Sequence, residues 1–296
     1  MHLSGSITAL ASPFAPDGRL DMDAWARLLA MQVEAGTAAV VVAGSTGEAA
    51  ALSEEEYGQL LRAAVARLGG RIPVLAGTGQ SATAATIART RLARDLGADA
   101  ALVVTPPYVR PTQEGLVAHY TAVADQGGLP VVLYNVPGRT GCDMQPETVA
   151  RLCRHPNIIA LKEARGDEQR WNALYPLAGS DFSLLSGDDP TFVRAVLGGA
   201  RGVISVASNV VPRAFAVLCT LAAEGRAEEA WALDARLRGL YDFLGVEPNP
   251  IPVKALLALQ GIGHGLRLPL LPLSAAYREQ ARAMAEACAQ LEAELA

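Results

Sequence analysis

The sequence has almost no lysine. Among its 25 basic residues only Lys162 and Lys254 are lysines, and the rest are arginines. A GC-rich genome that favours arginine codons explains the bias as a whole. It does not explain a lysine kept inside an apolar stretch, where an amine can lose its proton and attack a carbonyl but a guanidinium cannot. Long apolar runs are missing too. The longest, such as Ala38–Gly44 and Pro130–Val136, fall well short of the roughly 18–20 residues that a membrane span needs. Met1–Ala11 lacks a cationic region followed by a long apolar core, so no secretory signal is expected. Cys142, Cys153, Cys219 and Cys288 are scattered, with neither metal-ligand spacing nor the look of a disulfide framework. His2, His119, His155 and His264 form no HExxH or His-x-His group, and no motif supports a metal. The net charge is −5, with no basic run and no aromatic–basic stripe, which argues against a nucleic-acid partner. These absences together predict a cytoplasmic enzyme with reduced thiols.

What is present is a regular alternation. The chain has 296 residues, 51% of them apolar, enough for one large α/β barrel with a small helical appendix. Short apolar runs predict strands at Ser6–Ala11, Ala38–Gly44, Ile72–Thr78, Ala101–Thr105, Pro130–Val136, Ile158–Glu163, Ser183–Ser186 and Gly202–Ser205. Most are apolar on both faces, as parallel strands covered by helices should be. Helical periodicity lies between them, opened by the N-cap candidates Asp21, Ser53, Thr112 and Asp167; Ser53 with Glu56 fits a capping box. Eight strand–helix repeats predict a closed (β/α)8 barrel over residues 1–225. An open doubly wound sheet is the alternative, but no GxGxxG fingerprint opens its first unit. After Ser208 only helices are expected, at Pro212–Glu224, Ala227–Leu244, Ile251–Leu259 and Leu273–Leu295. The first completes the barrel and the other three form a C-terminal extension, residues 226–296.

In such a barrel the site lies at the C-terminal ends of the strands. Those ends carry Gly44-Ser45-Thr46-Gly47-Glu48, Tyr108, Tyr134 with Arg139 beyond it, Lys162-Glu163, Gly187-Asp188-Asp189 and Ile204-Ser205. Alternation along the sixth strand puts Ile158, Ala160 and Lys162 on one face. A charged side chain inside a barrel needs a reason, and a carbonyl-attacking amine is one; a structural pair with a carboxylate is the other. Imine chemistry needs several proton transfers, for which Tyr134, extended by Ser45 and Tyr108, is apt. Taken singly, Ser45 also fits an ordinary loop hydroxyl and Tyr108 a packing aromatic. Arg139 fits either a carboxylate clamp or a surface arginine. Gly44 and Gly47 suit either close approach to an anion or a tight turn.

Read together, Gly44-Ser45-Thr46-Gly47-Glu48, Tyr134-Asn135-Val136-Pro137-Gly138-Arg139-Thr140-Gly141, Leu161-Lys162-Glu163-Ala164 and Leu185-Ser186-Gly187-Asp188-Asp189 resemble the dihydrodipicolinate synthase branch of the pyruvate-dependent class I aldolases, which are TIM barrels. Gly202–Val206 and Val246–Lys254 extend the resemblance over essentially the whole chain. The resemblance implies that Lys162 forms an imine with pyruvate and that Thr46 holds the pyruvate carboxylate, with backbone contacts from Gly187 and Ile204. It implies a proton relay of Tyr134, Ser45 and Tyr108, the last reaching into a neighbouring subunit, and Arg139 on the carboxylate of aspartate semialdehyde. The lysine itself is the electron sink, so no metal or organic cofactor is implied. The expected assembly is a homotetramer built as a dimer of dimers. Ser45 stands where the family usually has threonine, and Pro107 where an aromatic commonly precedes Tyr108. Sialic-acid lyases and 2-keto-3-deoxy sugar acid aldolases share the lysine and tyrosine and are the rival enzymes. A regulator on an aldolase scaffold is the rival of another class, but it should have lost Lys162 or the hydroxyls. The family's feedback site for L-lysine corresponds to Ala49, Glu54, Tyr57, Ser81, Ala85 and Pro107. Its glutamate has become Ala85 and its aromatic Pro107, which implies weak inhibition at most, with Glu54 and Tyr57 as possible substitutes.

Overall fold

The computed structural model describes residues 1–296. Eight strands close into a parallel barrel in chain order: β1 (Gly5–Ala9), β2 (Ala39–Val42), β3 (Val74–Gly77), β4 (Ala100–Val104), β5 (Val131–Asn135), β6 (Ile158–Glu163), β7 (Ser183–Ser186) and β8 (Gly202–Ser205). Helices α1 (Met22–Glu34), α2 (Glu54–Leu68), α3 (Thr83–Asp95), α4 (Gln113–Gln126), the single turn α5 (Pro137–Thr140), α6 (Pro146–Leu152), α7 (Glu168–Leu174), α8 (Phe192–Leu197) and α9 (Pro212–Ala223) follow the strands. Then come α10 (Ala227–Leu244), α11 (Ile251–Leu259) and α12 (Arg278–Glu294).

Alternation along each strand makes two cores. Ile7, Val41, Leu75, Leu102, Val132, Ala160, Leu185 and Ile204 fill the barrel. Their neighbours Val40, Val74, Val103, Leu133, Leu161 and Val203 face outward and join the helices in one larger cluster that runs on to Leu291 of α12. Glycine permits closure at the tightest points. A Cβ on Gly202 would lie 2.1 Å from the Gly5 carbonyl oxygen, and one on Gly77 2.1 Å from that of Ala43. The N-caps form as expected: Asp21, Ser53, Thr112 and Asp167 each accept from a backbone N–H, and Ser53 and Glu56 close a full capping box.

Three differences from the sequence-based expectation have local causes. β1 stops at Ala9 because the Asn209 amide takes over its edge, donating to Ala9 O at 2.8 Å and accepting from Ala11 N at 3.0 Å. The last helix starts at Arg278, after a turn over Ala275–Tyr277, because Ser274 is tied to Glu247. Ile158 does not share a face with Lys162. The β5–β6 register slips at its start, pairing Val131 with Ile158 but Val132 with Ala160, so the extra residue turns Ile158 outward. Ala160 stays in the barrel interior and Ile158 joins the outer core. None of the helices is long and apolar enough to cross a membrane.

Candidate active site

The two lysines occupy opposite kinds of environment. Lys254, on α11, is buried in an ion pair with Glu48 and sits over the Phe14 ring at 4.1 Å. Burial pushes its pKa down and the Glu48 carboxylate opposes that shift. Lys162 is equally buried, at 5% exposure, yet it takes part in none of the molecule's ion pairs or side-chain hydrogen bonds. It lies over the Tyr134 ring, whose centroid is 4.3 Å from Nζ. The pairing follows from register, because Tyr134 of β5 and Lys162 of β6 are direct partners. Of the two roles open to a buried lysine, Lys254 fills the structural one.

Gly187 makes room for this amine. A Cβ there would come within 2.8 Å of Lys162 Cε and 3.1 Å of Cγ, so a larger residue would displace the lysine. Ile204 lies in the same interior cluster as Tyr134. Thr46 is buried, and its hydroxyl accepts from Asn249 Nδ2 at 3.1 Å. The turn carrying it is held by Ser12, whose hydroxyl donates to Gly47 O at 2.7 Å. A Cβ on Gly47 would lie 3.0 Å from Leu10 O, so tight packing of the turn accounts for that glycine. Ser45 is half-buried beside it. Arg139, on α5, is exposed and donates through Nη2 to Asn249 O at 3.0 Å. The Tyr108 ring is 91% exposed on a backbone with φ of +74°, followed by Arg110 at +49°. Within one chain, Lys162 meets Tyr134 and Gly187, Ile204 shares the interior cluster of Tyr134, Thr46 and Arg139 meet at Asn249, and Tyr108 is exposed to solvent.

The family profile described as the Dihydrodipicolinate synthetase family matches residues 2–288. The chain belongs to that family. It is 63% identical over 293 residues to a 4-hydroxy-tetrahydrodipicolinate synthase of Xanthomonas axonopodis pv. citri, covering 99% of this chain and 97% of that one. A 4-hydroxy-tetrahydrodipicolinate synthase of Stenotrophomonas maltophilia is 64% identical over 295 residues, with 99% of both chains covered. Among solved structures, the chloride-inhibited dihydrodipicolinate synthase of Acinetobacter baumannii complexed with pyruvate superposes with a TM-score of 0.94. It is 42% identical, over 97% of this chain and 99% of that chain.

The parts that several residues play around the site were not anticipated. Asn249 lies in a segment whose Pro-rich sequence predicts only a turn and helix start, yet it touches both Thr46 and Arg139. Asp189 is buried and accepts from Val206 N at 3.1 Å and Ala207 N at 2.8 Å, fixing the chain just beyond Ile204; burial pushes its pKa up to about 6. Behind β5 and β6, Asn135, Asp143, Glu163, Arg165 and Arg170 form a polar network. Burial pushes Glu163 up to about 7. Burial also works against ionised Asp143, but the Asn135 amide and the guanidinium groups of Arg170 and Arg165 outweigh it and hold its pKa below the usual carboxylate range.

At the positions that the sequence resemblance assigns to a lysine site, Ser81 Oγ donates to Pro107 O at 3.0 Å, and Ala85 and Glu54 are exposed. Tyr57 is not a free aromatic wall. It is fully buried, and the Arg89 guanidinium lies 3.9 Å from its ring centroid.

Proposed function

We propose that this protein condenses pyruvate with L-aspartate 4-semialdehyde to give 4-hydroxy-tetrahydrodipicolinate, through an imine on Lys162. The observation that carries the reading is the contrast between the two lysines: the one without a carboxylate partner is the one beside Tyr134 inside the barrel. The relatives named 4-hydroxy-tetrahydrodipicolinate synthase at 63% and 64% identity support the substrate assignment. The Lys162 amine adds to the C2 carbonyl of pyruvate, and loss of water leaves the iminium. A methyl proton leaves, the resulting enamine attacks the aldehyde carbon, and the aldehyde oxygen takes up a proton. The substrate's own amino group then attacks C2 and displaces Lys162 as the ring closes. One water is released over the cycle, and the iminium nitrogen is the electron sink throughout, so the scheme uses no metal or organic cofactor.

The Thr46 hydroxyl holds the pyruvate carboxylate, with Gly187 and Ile204 lining the pocket. Tyr134 moves the protons, connected through Ser45 to a Tyr108 supplied by a second copy of the chain. An exposed tyrosine on a left-handed backbone, the commonness of twofold pairing and family membership support a homotetramer arranged as a dimer of dimers. We read residues 226–296 as an extension of the catalytic barrel, since one apolar cluster runs through both.

Arg139 holds the carboxylate of the aldehyde substrate. Arg139→Ala is expected to raise KM for aspartate semialdehyde by about 10- to 100-fold, the loss typical of a hydrogen-bonded charge pair, while leaving imine formation with pyruvate unchanged. An unaltered aldehyde KM would remove Arg139 from this role. The substrate assignment is tested by turnover of pyruvate with aspartate semialdehyde against cleavage of sialic acid and 2-keto-3-deoxy sugar acids. Turnover in the first assay and none in the others is the expected result.

L-lysine is expected to inhibit only weakly, with half-maximal effect above a millimolar when titrated at saturating pyruvate. Ala85 offers no carboxylate to a lysine amine, and the cation already stacked on Tyr57 is Arg89. Leaving a desolvated ammonium unpaired typically costs ~2–5 kcal/mol, or roughly 30-fold and upward in affinity. Inhibition well below a millimolar would show that another binding site exists.

A further inference from the structure

The proposed chemistry uses the inward side chains of two strand ends and leaves the outward ones without a task. Tyr134 and Lys162 are register partners, and so are Asn135 and Glu163 one residue further on. Alternation sends the first pair into the barrel and the second behind it. Asn135 and Glu163 are both fully buried there. A buried carboxylate is costlier than an apolar side chain of its size unless donors surround it, and here they do. Asn135 Nδ2 lies 3.0 and 3.1 Å from the two Glu163 oxygens and 2.8 Å from Asp143 Oδ1, while Asn135 Oδ1 accepts from Met144 N at 2.9 Å. Arg165 N donates to Glu163 Oε1 at 2.9 Å, which turns the chain back onto the strand it has just left.

The charged groups facing Glu163 come from three neighbouring segments. Asp143 lies between α5 and α6. Arg165 follows β6 and pairs with Asp143 at 2.8 Å and with Asp167 at 2.9 Å. Arg170, from α7, pairs with Asp143, donates to Met144 O at 2.8 Å and brings Nε to 3.7 Å from Glu163. Every member touches the end of β5, the end of β6 or the loop that crosses behind them.

We propose that Glu163, with Asn135 as its cross-strand partner, is a positioning residue that holds the ends of β5 and β6 where the Tyr134 hydroxyl and the Lys162 amine converge on substrate. The inference rests on Lys162 being the nucleophile and deepens that reading by naming what aims it. Ionised Glu163 accepts from Asn135 and from Arg165 N and faces the Arg170 guanidinium. Protonated Glu163 gives up part of that set, and glutamine imitates the protonated form. With Glu163 pushed up to about 7 by burial, the change falls in the working pH range. The signs oppose each other. A carboxylate raised above its unfolded value of 4.5 stabilises the fold fully below that value, and the stabilisation is lost as pH rises through about 7. The ionised form that aims the site is therefore the one the fold favours less, so activity is expected to rise with pH while this contribution to stability falls.

The test is kcat at saturating substrates from pH 5.5 to 8.5 for the intact enzyme, Glu163→Gln and Asn135→Asp, with borohydride trapping of pyruvate as a second readout. The unaltered enzyme is expected to show an acid limb centred near 7. Glu163→Gln should lack that limb and run about 10- to 100-fold slower at pH 8, the penalty of a slightly misplaced reacting group, while trapping still labels Lys162. Asn135→Asp sets a further carboxylate against Glu163 and should move the limb to higher pH. Wild-type kcat and an unchanged profile in Glu163→Gln would overturn the inference. If that variant fails to fold, an unshifted limb in Asn135→Asp would overturn it. Absence of label on Lys162 in the unaltered enzyme would instead overturn the nucleophile assignment, and this inference with it.

Discussion

Replacing Lys162 with alanine or arginine is expected to lower turnover by roughly 10⁴-fold or more, as loss of a covalent nucleophile does when nothing else can take its place. Arginine preserves the charge and much of the length, so a dead Lys162→Arg enzyme separates the need for an amine from the need for a cation. The alanine variant should leave the fold intact. Lys162 is buried without an ion-pair partner, and removing an uncompensated buried amine relieves a desolvation cost, so the melting temperature should hold or rise. Lys254→Ala is the mirror image. It leaves the Glu48 carboxylate, which is 6% exposed, with the Arg267 backbone N–H at 3.1 Å and no ion-pair partner, and breaking a buried pair in this way typically costs ~3–5 kcal/mol. Lys254→Ala should therefore lower the melting temperature without removing the amine that forms the imine. A stable, inactive Lys162 variant beside an unstable, imine-competent Lys254 variant is the expected pattern.

Tyr134→Phe should lower kcat by ~10²–10⁴-fold, the range of a group that moves protons in the rate-limiting steps. The ring that Lys162 lies against is retained and only the hydroxyl is lost, so packing and the placement of the amine should be undisturbed. KM for pyruvate should change little, because an interaction needed mainly in the transition states has been removed. Steady-state kinetics over both substrates check this. A kcat within threefold of the unaltered enzyme would mean that water or another hydroxyl carries the protons.

The inward strand-end positions were legible in the sequence because they are local. Each residue stands at the end of one apolar run, and alternation says which way it points. Lys162 stood out because lysine is almost absent and the run around it is apolar. The helix starts were legible for the same reason, since a cap and the amide it accepts from lie three residues apart, as with Ser53 and Glu56. The outward network was not legible. Asn135, Asp143, Glu163, Arg165 and Arg170 come from two strands, two loops and a helix, with no spacing that unites them. Only the register of β5 on β6 brings them together. The slip that turns Ile158 outward belongs to the same class, because a bulge is a property of two strands and periodicity is read on one. Asn249 was hidden for a further reason. The prolines around it signal a turn strongly, and a turn signal says nothing about which side chain the turn delivers to Thr46 and Arg139.

The most direct measurement of the central claim is reductive trapping. Incubating the enzyme with pyruvate and borohydride, then mapping the modified peptide by mass spectrometry, distinguishes two lysines that are 92 positions apart in a chain with no others (254 − 162). The account predicts one reduced pyruvate adduct per chain, on Lys162, present in Tyr134→Phe and absent in Lys162→Arg. An adduct on Lys254, or no adduct on either lysine, would contradict it.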